Sequence, residues 1–427
     1  MNSPHILHLR GSSFVGGPEH QLFNYAESER EGAFQIRLGT FVGPEEGSEF
    51  IRLAQARGYH ILSLPCGTTG FRSALPVLVR EMRIGRVDLL CTHGYKADIL
   101  GVLAARATGT PVACFLRGWT SENARVRFYE AMDRFIVPFA QRIVCLSDHQ
   151  ALRLRKRRVL ASRIRIVQNA VDLPDLSAEN TARIRNRIRG LFGFPVDCPL
   201  IASAGRLSPE KGVHVFLDAS AAILESYPET RFLIFGDGAL RGELESKSRC
   251  LGLSDRLRFS GFVTELRELL PGLDVLVNPS LSEEMPNIVL EGMAAGIPVV
   301  ATAVGGVSEI SGIVQAVKLI SPGNPKSLVE AVSFMIQNPN AARELAIRGR
   351  ARVQQAYSRA LQKVQLQTLY RELLSTAPTS LPEPPEADAN RHPSRSARSD
   401  PADMPQPSSL IRSKPVAPPW ALALLRS

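Results

Sequence analysis

The sequence predicts an α/β protein built from two doubly wound parallel sheets. Short apolar runs alternate with helix-length amphipathic segments, once within residues 6–146 and again within residues 200–301. Uninterrupted apolar runs are typical of parallel strands that are buried on both faces. A length of 427 residues is enough for two such domains, each with its own core.

The apolar runs divide into two series along the chain. The strands predicted in the first series are 6–9, 36–38, 59–62, 87–91, 112–116 and 143–146, with helical segments at 19–30, 71–85 and 97–108. The strands predicted in the second series are 200–204, 232–235, 257–259, 275–277 and 299–301. Strands and helices that alternate in this way predict sheets with helices on both faces, whose ligands bind at the carboxyl ends of the strands.

A turn-like and then polar stretch, residues 171–195, separates the two series. We therefore predict one domain over residues 1–172 and a second, ending in a polar helix, over residues 173–374. The composition changes after residue 375, because 11 of the 30 prolines follow it, mixed with serine, alanine and arginine. Such a segment cannot bury a core, so residues 375–427 are predicted to be a disordered tail.

The chain is basic, with a formal net charge of +10 and a pI near 9.6. Its densest basic run is residues 153–158, and arginines recur through residues 183–189. These runs fit solvated helix faces, an anionic membrane surface or phosphate-bearing substrates. Nucleic acid is disfavoured as a partner, because no helix-turn-helix, zinc-finger or RNA-binding signature accompanies the charge.

Neither secretion nor a membrane span is predicted. The first residues lack the charged-then-apolar order of a signal peptide, and no apolar run approaches the roughly 18 residues that a span needs. The six cysteines show no paired spacing, which favours buried thiols and disfavours a zinc site. We therefore expect a cytoplasmic protein, with peripheral association at the inner face of the membrane as an open alternative.

Two glutamates mark a candidate ligand site in the second series. Glu283 and Glu291 lie eight positions apart across a predicted loop-to-helix junction, so the later carboxylate lies about two turns inside the helix. Amides near Pro286, Asn287 and Ile288 are left free at that helix start, which favours an anion there. The layout suits a sugar nucleotide, and the alternative is an amphipathic core helix with an acidic start.

Basic and glycine-rich loops follow the other strands of this series. Arg206 and Lys211 lie five apart between glycines, so two cations can reach one diphosphate; a surface turn with solvated charges is the alternative. Gly261, Phe262 and Val263 follow a later strand and can line a base pocket, although taken alone they are better explained by core packing.

The first series of strands contains a second set of candidate ligand-binding residues. Gly16 and Gly17 come just before a helix, where a phosphate can approach its positive end. His93 and Arg117 lie at the ends of two later strands, where a structural role is the alternative. No GxGxxG or Walker pattern occurs, which disfavours dinucleotide and P-loop chemistry. No Asp-x-Asp occurs either, so we expect no metal and no cofactor.

Taken together, these loop motifs resemble those of the retaining family 4 glycosyltransferases of the GT-B fold. The resemblance covers residue 5 to about residue 374. The similarity is carried jointly by their order and spacing: Gly205-Arg206 with Glu210-Lys211-Gly212, Gly236-Asp237-Gly238, Glu283-x7-Glu291, and Thr302-x-Val304-Gly305-Gly306-x-x-Glu309. The resemblance implies two Rossmann-like domains that face each other across a cleft. The first domain would bind the acceptor and the second the nucleotide sugar.

The resemblance also implies residue roles. Arg206 and Lys211 would contact the diphosphate, Glu283 would position the donor sugar, and Glu291 would bind the ribose. Transfer would retain the anomeric configuration by front-face attack, with no protein nucleophile. The implied substrate-binding residues, besides Glu291, are Gly16, Gly17, Arg117, Gly261, Phe262, Val263, Pro286, Asn287 and Ile288.

Two positions depart from the family pattern. Glu284 stands where the family often has glycine, and Arg117-Gly118-Trp119 replaces a frequent His-Gly pair. Arginine there could favour a phosphate-bearing acceptor. We expect a transferase that moves a sugar from a nucleotide donor to a lipid-linked or saccharide acceptor in surface polysaccharide or glycolipid synthesis. A sugar-nucleotide epimerase of the same fold and a noncatalytic module that binds anionic surfaces are the alternatives.

Overall fold

The computed structural model describes residues 3–11, 15–43, 48–65, 71–118 and 124–375, which form two parallel β-sheets. The strands of the first sheet are β1 (His5–Arg10), β2 (Gln35–Val42), β3 (Ile61–Pro65), β4 (Leu89–His93), β5 (Val112–Phe115), β6 (Arg142–Cys145) and β7 (Ile164–Ile166). Those of the second are β8 (Leu200–Ala204), β9 (Arg231–Phe235), β10 (Leu257–Gly261), β11 (Val275–Asn278), β12 (Val299–Thr302) and β13 (Lys318–Ile320).

Helices join these strands. The first sheet is connected by α1 (Gly17–Ser28), α2 (Ser48–Ala56), α3 (Phe71–Ile84), α4 (Tyr95–Thr108), α5 (Ala124–Ile136) and α6 (Asp148–Lys156). The second follows α7 (Ala178–Phe192) and is connected by α8 (Val213–Ser226), α9 (Arg241–Cys250), α10 (Leu266–Leu269), α11 (Asn287–Ala294) and α12 (Val307–Ser311). The described chain ends with α13 (Pro325–Gln337), α14 (Pro339–Ala356) and α15 (Arg359–Ser375).

Both sheets have the doubly wound order that the sequence predicts. The first runs β3-β2-β1-β4-β5-β6-β7 and the second β10-β9-β8-β11-β12-β13, and neighbouring strands in each sheet are parallel. The strand order reverses beside β1 and beside β8, and ligands of such sheets bind at the carboxyl ends next to this reversal. The α/β class and the two doubly wound sheets are confirmed.

Two edge strands were not predicted from the sequence. β7 and β13 are three residues long, and each contains a basic residue, Arg165 or Lys318. Three residues are too few for a periodic pattern, so such strands are defined only by pairing with β6 and β12. The predicted strands at 59–62 and 87–91 begin two residues later in the structure, at Ile61 and Leu89.

Short helix α11 is fixed by close packing on its own sheet. Val289, Leu290 and Met293 are fully buried, and each such side chain contributes about 1.5–3 kcal/mol when it leaves water. A Cβ at Gly292 would lie 2.4 Å from Leu276 Cδ2, so the glycine lets the helix approach β11 closely. This packing fixes where the amino end of α11 points.

In the second arginine run, residues 183–189, Arg183 and Arg187 are exposed, whereas Arg185 and Arg189 both pair with Asp274. Arg189 is completely buried and pairs with Asp274 at 2.6 Å, while it also donates to the carbonyl oxygens of Cys198 and Gly272. Arg185 pairs with the other oxygen of Asp274. A buried guanidinium needs such partners, so this part of the basic charge ties α7 to β11.

Helix α15 packs against the first sheet. Leu366, Leu369, Tyr370 and Leu373 are buried in one cluster with residues of β1, α1 and β2. Glu372 pairs with Arg142 and Arg165 of the first-sheet strands β6 and β7. The sequence predicts this helix as the last element of the second domain, residues 173–374. In the structure, the helix packs against the first sheet.

Among the helices that the structure describes, none combines the length and the apolar character that a bilayer crossing requires. Ser375, the first residue of the predicted tail, ends α15, and residues 376–427 lie outside the described residues.

Candidate active site

A cleft of about 650 Å³ lies at the carboxyl ends of the second sheet, opposite the start of α1. Of the thirteen residues predicted to have catalytic or substrate-binding roles, twelve line it and Gly261 does not. The twelve are Gly16, Gly17, Arg117, Arg206, Lys211, Phe262, Val263, Glu283, Pro286, Asn287, Ile288 and Glu291. The structure therefore brings together residues from distant loops, while their individual roles stay predictions.

Lys211 and Glu283 form an ion pair inside this cleft. Lys211 Nζ lies 2.6 Å from Glu283 Oε1, and the Ser280 hydroxyl donates to the same oxygen at 2.7 Å. Only 9% of the Glu283 side chain is exposed, so its charge depends on these partners. Lys211 is thereby held in position before any anionic ligand arrives. Arg206 lies on the exposed rim of the same cleft.

A left-handed glycine sets the turn that carries Lys211. Gly212 has φ +63°, and a Cβ there would lie 2.2 Å from the carbonyl oxygen of Pro279. The turn after β8 can therefore touch the loop after β11 only because position 212 has no side chain. This contact brings Lys211 and Glu283, which are far apart in the sequence, within hydrogen-bond distance.

The Gly305-Gly306 loop packs against the backbone of the loop that carries Glu283 and Glu284, here called the glutamate loop. Sequence reasoning missed this supporting role. A Cβ at Gly305 would lie 1.7 Å from the carbonyl oxygen of Glu283. The amide of Gly306 donates to the carbonyl oxygen of Glu284 at 2.9 Å. The sequence signal is the pair of adjacent glycines after β12, which counted above only toward the family resemblance.

Glu291 is held by an arginine that the sequence did not single out. Arg267 Nε donates to Glu291 Oε1 at 2.8 Å, and 11% of the Glu291 side chain is exposed. The two residues line the cleft beside Phe262 and Val263. Glu291 lies on α11, whose first-turn amides at Asn287 and Ile288 are available as donors, since the first N–H groups of a helix have no acceptor within it.

The first domain meets this site through α1. The amide of Gly16 donates to Glu19 Oε2 at 2.9 Å in a capping box, so that amide is engaged by its own helix. A Cβ at Gly17 would lie 2.2 Å from Asn287 Nδ2. Gln21 Nε2 also approaches Asn287 Oδ1 at 3.4 Å. Gly17 thus permits a close approach between the two halves of the cleft.

Comparison with known proteins identifies the family. Residues 4–170 match the glycosyl transferase 4-like domain, and residues 198–338 match the glycosyl transferases group 1. The 2-deoxystreptamine glucosyltransferase of Streptomyces kanamyceticus is 31% identical over 283 residues, which cover 62% of this chain and 73% of that protein. The chain belongs to the family 4-like glycosyltransferases. Glycosyltransferase activity in glycan or glycolipid synthesis is thereby confirmed.

Two further similarities place this glycosyltransferase among proteins of known fold and activity. A UDP-Gal:α-D-GlcNAc-diphosphoundecaprenol α-1,3-galactosyltransferase of Escherichia coli is 29% identical over 243 residues, which cover 54% of this chain and 61% of that protein. The crystal structure of Anabaena HepE with UDP-glucose superimposes with a TM-score of 0.76 at 22% identity, covering 86% of this chain and 100% of that one. The second similarity supports the GT-B fold.

The two departures from the family pattern meet at the cleft edge. Glu284 pairs with Arg153 of α6 at 2.6 Å, and burial raises the pKa of this carboxyl although Arg153 opposes the shift. Gly118 has φ +93°, and a Cβ there would lie 2.9 Å from Glu284 Cγ. Arg153 therefore belongs to the junction between the domains rather than to an outer basic surface. Trp119 lies outside the described residues.

We expect that Gly305→Ala in this glycosyltransferase lowers kcat/KM about a hundredfold. The new Cβ would collide with the Glu283 backbone, which no change of rotamer relieves, and a displacement of about 1 Å at a reacting centre has costs of this size. Steady-state kinetics with the donor at several concentrations measure the effect.

Gly323→Ala is the matched control. Gly323 also has positive φ, +68°, but its nearest neighbouring atom is Leu281 Cδ2 at 3.8 Å. Both substitutions carry a backbone strain of about 1 kcal/mol, so only the collision with Glu283 distinguishes them. Equal losses of activity in the two variants would contradict the supporting role of Gly305.

Proposed function

We propose that this glycosyltransferase transfers a hexosyl group from a UDP-sugar with retention of anomeric configuration and without a metal ion. The observation that carries the proposal is the preformed Lys211–Glu283 ion pair, at 2.6 Å, in a cleft that Arg206 and Glu291 also line. The uridine nucleotide is inferred from the UDP-glucose bound to HepE and from the UDP-Gal named for the E. coli relative.

The chemical requirement is neutralisation of the leaving diphosphate. As the bond from the anomeric carbon to the diphosphate oxygen breaks, negative charge grows on that oxygen, and Lys211 with Arg206 would stabilise it. The acceptor hydroxyl would attack from the same face, and its proton would pass to the departing phosphate oxygen. Glu283, held by Lys211 and Ser280, would orient the sugar hydroxyls rather than act as a nucleophile.

Lys211→Ala should lower kcat by about 10²–10³, because removing one donor that stabilises developing charge typically costs that much. UDP release from the UDP-sugar, measured with saturating donor, gives the rate. Lys247→Ala is the matched control, since Lys247 forms a comparable ion pair with Asp218 at 2.7 Å and does not line the cleft. Turnover of the Lys211 variant within threefold of the control would reject the assignment.

Retention and metal independence can be tested in the same transfer reaction. Among the described residues, no group of three or more His, Cys, Asp or Glu side chains is arranged to hold a metal ion. Two cationic side chains and the amino end of α11 would carry the charge instead. We expect turnover within twofold with and without EDTA, and a product whose anomeric configuration in proton NMR matches the donor. Loss of activity that magnesium or manganese restores, or an inverted product, would refute these points.

We propose that the acceptor is lipid-linked or a saccharide, and that the protein acts at the cytoplasmic face of a membrane. A lipid-linked acceptor is inferred from the diphosphoundecaprenol named for the E. coli relative. The outer end of α6 supports peripheral binding, because Arg155, Arg157 and Arg158 are exposed beside Leu160, itself 63% exposed. Each such cation contributes about 1 kcal/mol near an anionic bilayer.

Sedimentation with vesicles should therefore increase with anionic lipid and fall with salt. Reversing the charges of Arg155, Arg157 and Arg158 to glutamate should weaken binding at least tenfold. The control reverses three exposed arginines of the second domain, Arg183, Arg343 and Arg348, and changes the net charge equally. Equal weakening by both triple substitutions would show that only net charge matters and would remove α6 as the binding surface.

A further inference from the structure

Arg117 presents a guanidinium in the cleft that no carboxylate neutralises within the described chain. It donates to Asn169 Oδ1 at 3.2 Å and to the Tyr25 hydroxyl at 3.2 Å, and its third contact is His93 Nδ1 at 3.0 Å. All three acceptors are uncharged groups, and none of the described carboxylates forms an ion pair with Arg117. Its Nε–H is buried without an acceptor among the same residues.

A buried chain of hydrogen bonds extends from Arg117 into the first-domain core. Arginine can only donate, so His93 Nδ1 must accept and the His93 proton is on Nε2. His93 Nε2 therefore donates to His8 Nδ1 at 2.9 Å, and His8 Nε2 donates to the Tyr370 hydroxyl at 2.8 Å. The direction of every bond is set by the guanidinium at the cleft end. Tyr370 lies on α15, so the far end of this hydrogen-bond chain is held by the helix that packs against the first sheet.

Both histidines remain neutral, so this hydrogen-bond chain orients Arg117 and adds no negative charge to offset that of the guanidinium. Burial, with the nearby Arg117 charge, lowers the pKa of His8 to about 3 and holds that of His93 well below its usual range. His8 and His93 are 0% and 1% exposed. A half-buried cation surrounded only by neutral partners is costly unless a ligand compensates it.

We propose that Arg117 binds an anionic group of a substrate, a carboxylate or a phosphate, and that His93, His8 and Tyr370 hold its guanidinium in place. The inference rests on the proposed function and adds to it the charge of the substrate. The anionic group has two sources within reach of this cleft. One is the carboxylate of a uronic acid donor, and the other is a phosphate that links the acceptor sugar to its carrier.

Two pairs of probes distinguish the sources. The donor arm titrates UDP-glucose and UDP-glucuronic acid into the full-length protein by calorimetry. The acceptor arm titrates octyl N-acetylglucosaminide and the octyl diphosphate ester of N-acetylglucosamine into protein saturated with UDP, so that Lys211 and Arg206 are already occupied. We expect one anionic probe to bind at least about tenfold more tightly than its neutral counterpart.

Substitution of Arg117 tests whether that preference belongs to its guanidinium. Arg117→Gln should abolish the preference, and Arg117→Lys should keep part of it. Arg163→Gln is the control, because Arg163 also lies in the first domain and donates to a neutral carbonyl, that of Pro138, but does not line the cleft. The proposal is overturned if neither anionic probe is preferred, or if the preference survives Arg117→Gln.

The positioning chain is tested through His93. His93→Leu removes the acceptor for Arg117 and should reduce the preference, whereas His93→Gln can accept from Arg117 and donate to His8 and should restore it. A preference unchanged in a folded His93→Leu variant would limit His93 to packing. If that variant does not fold, Tyr370→Phe removes only the far hydroxyl; a reduced preference supports the chain, and an unchanged one removes Tyr370 from it.

UDP affinity separates this inference from the proposed function. Affinity for UDP should be the same in the wild type and in all Arg117, His93 and Tyr370 variants, because UDP would lie against the second domain. Failure of the wild type to bind UDP would refute the proposed function itself. Normal UDP binding without any preference for an anionic probe would refute only the role given to Arg117.

Discussion

The site depends on two adjacent carboxylates that point to opposite sides of one loop. Glu283 turns toward Lys211 of its own domain, and Glu284 turns toward Arg153 of the other domain. Both side chains are largely buried, so neither charge can be left without its partner. The loop between β11 and α11 is therefore fixed at once by the predicted donor site and by the junction between the domains.

Further contacts at the same junction come from neighbouring loops. Glu309 of α12 accepts hydrogen bonds from the amides of Asp148 and His149 at the start of α6, where a negative charge is stabilised by the helix dipole. Gly306, beneath Glu284, would place a Cβ 3.1 Å from the Ser147 side chain. Residues that hold the glutamate loop also hold the first domain, so a ligand that shifts Glu283 is expected to alter both sets of contacts.

Much of this arrangement could be predicted because parallel sheets give strong local signals. Buried strands such as β9 are largely apolar runs, and their carboxyl ends converge by topology. Arg206, Lys211, Glu283 and Glu291 could therefore be predicted from their charge, their spacing and their place after such strands. The arginine that pairs with Glu291 and the glycine that packs against Glu283 were not found. Arg267 comes from a four-residue helix with no motif, and the support from Gly305 depends on a backbone contact across 22 residues that no sequence period encodes.

The positions at which the excess positive charge is exposed or paired also could not be predicted from the sequence. The sequence presented the arginines as two runs, but the fold assigns them to different physical tasks. Arg189 is buried against Asp274, and Arg153 joins the domains, while Arg155 and Arg158 stay exposed on the end of α6. Arg117, outside both runs, lacks a described carboxylate partner although it faces the cleft. Net charge thus says little about where a cation is left to meet a ligand, because pairing and burial decide it residue by residue.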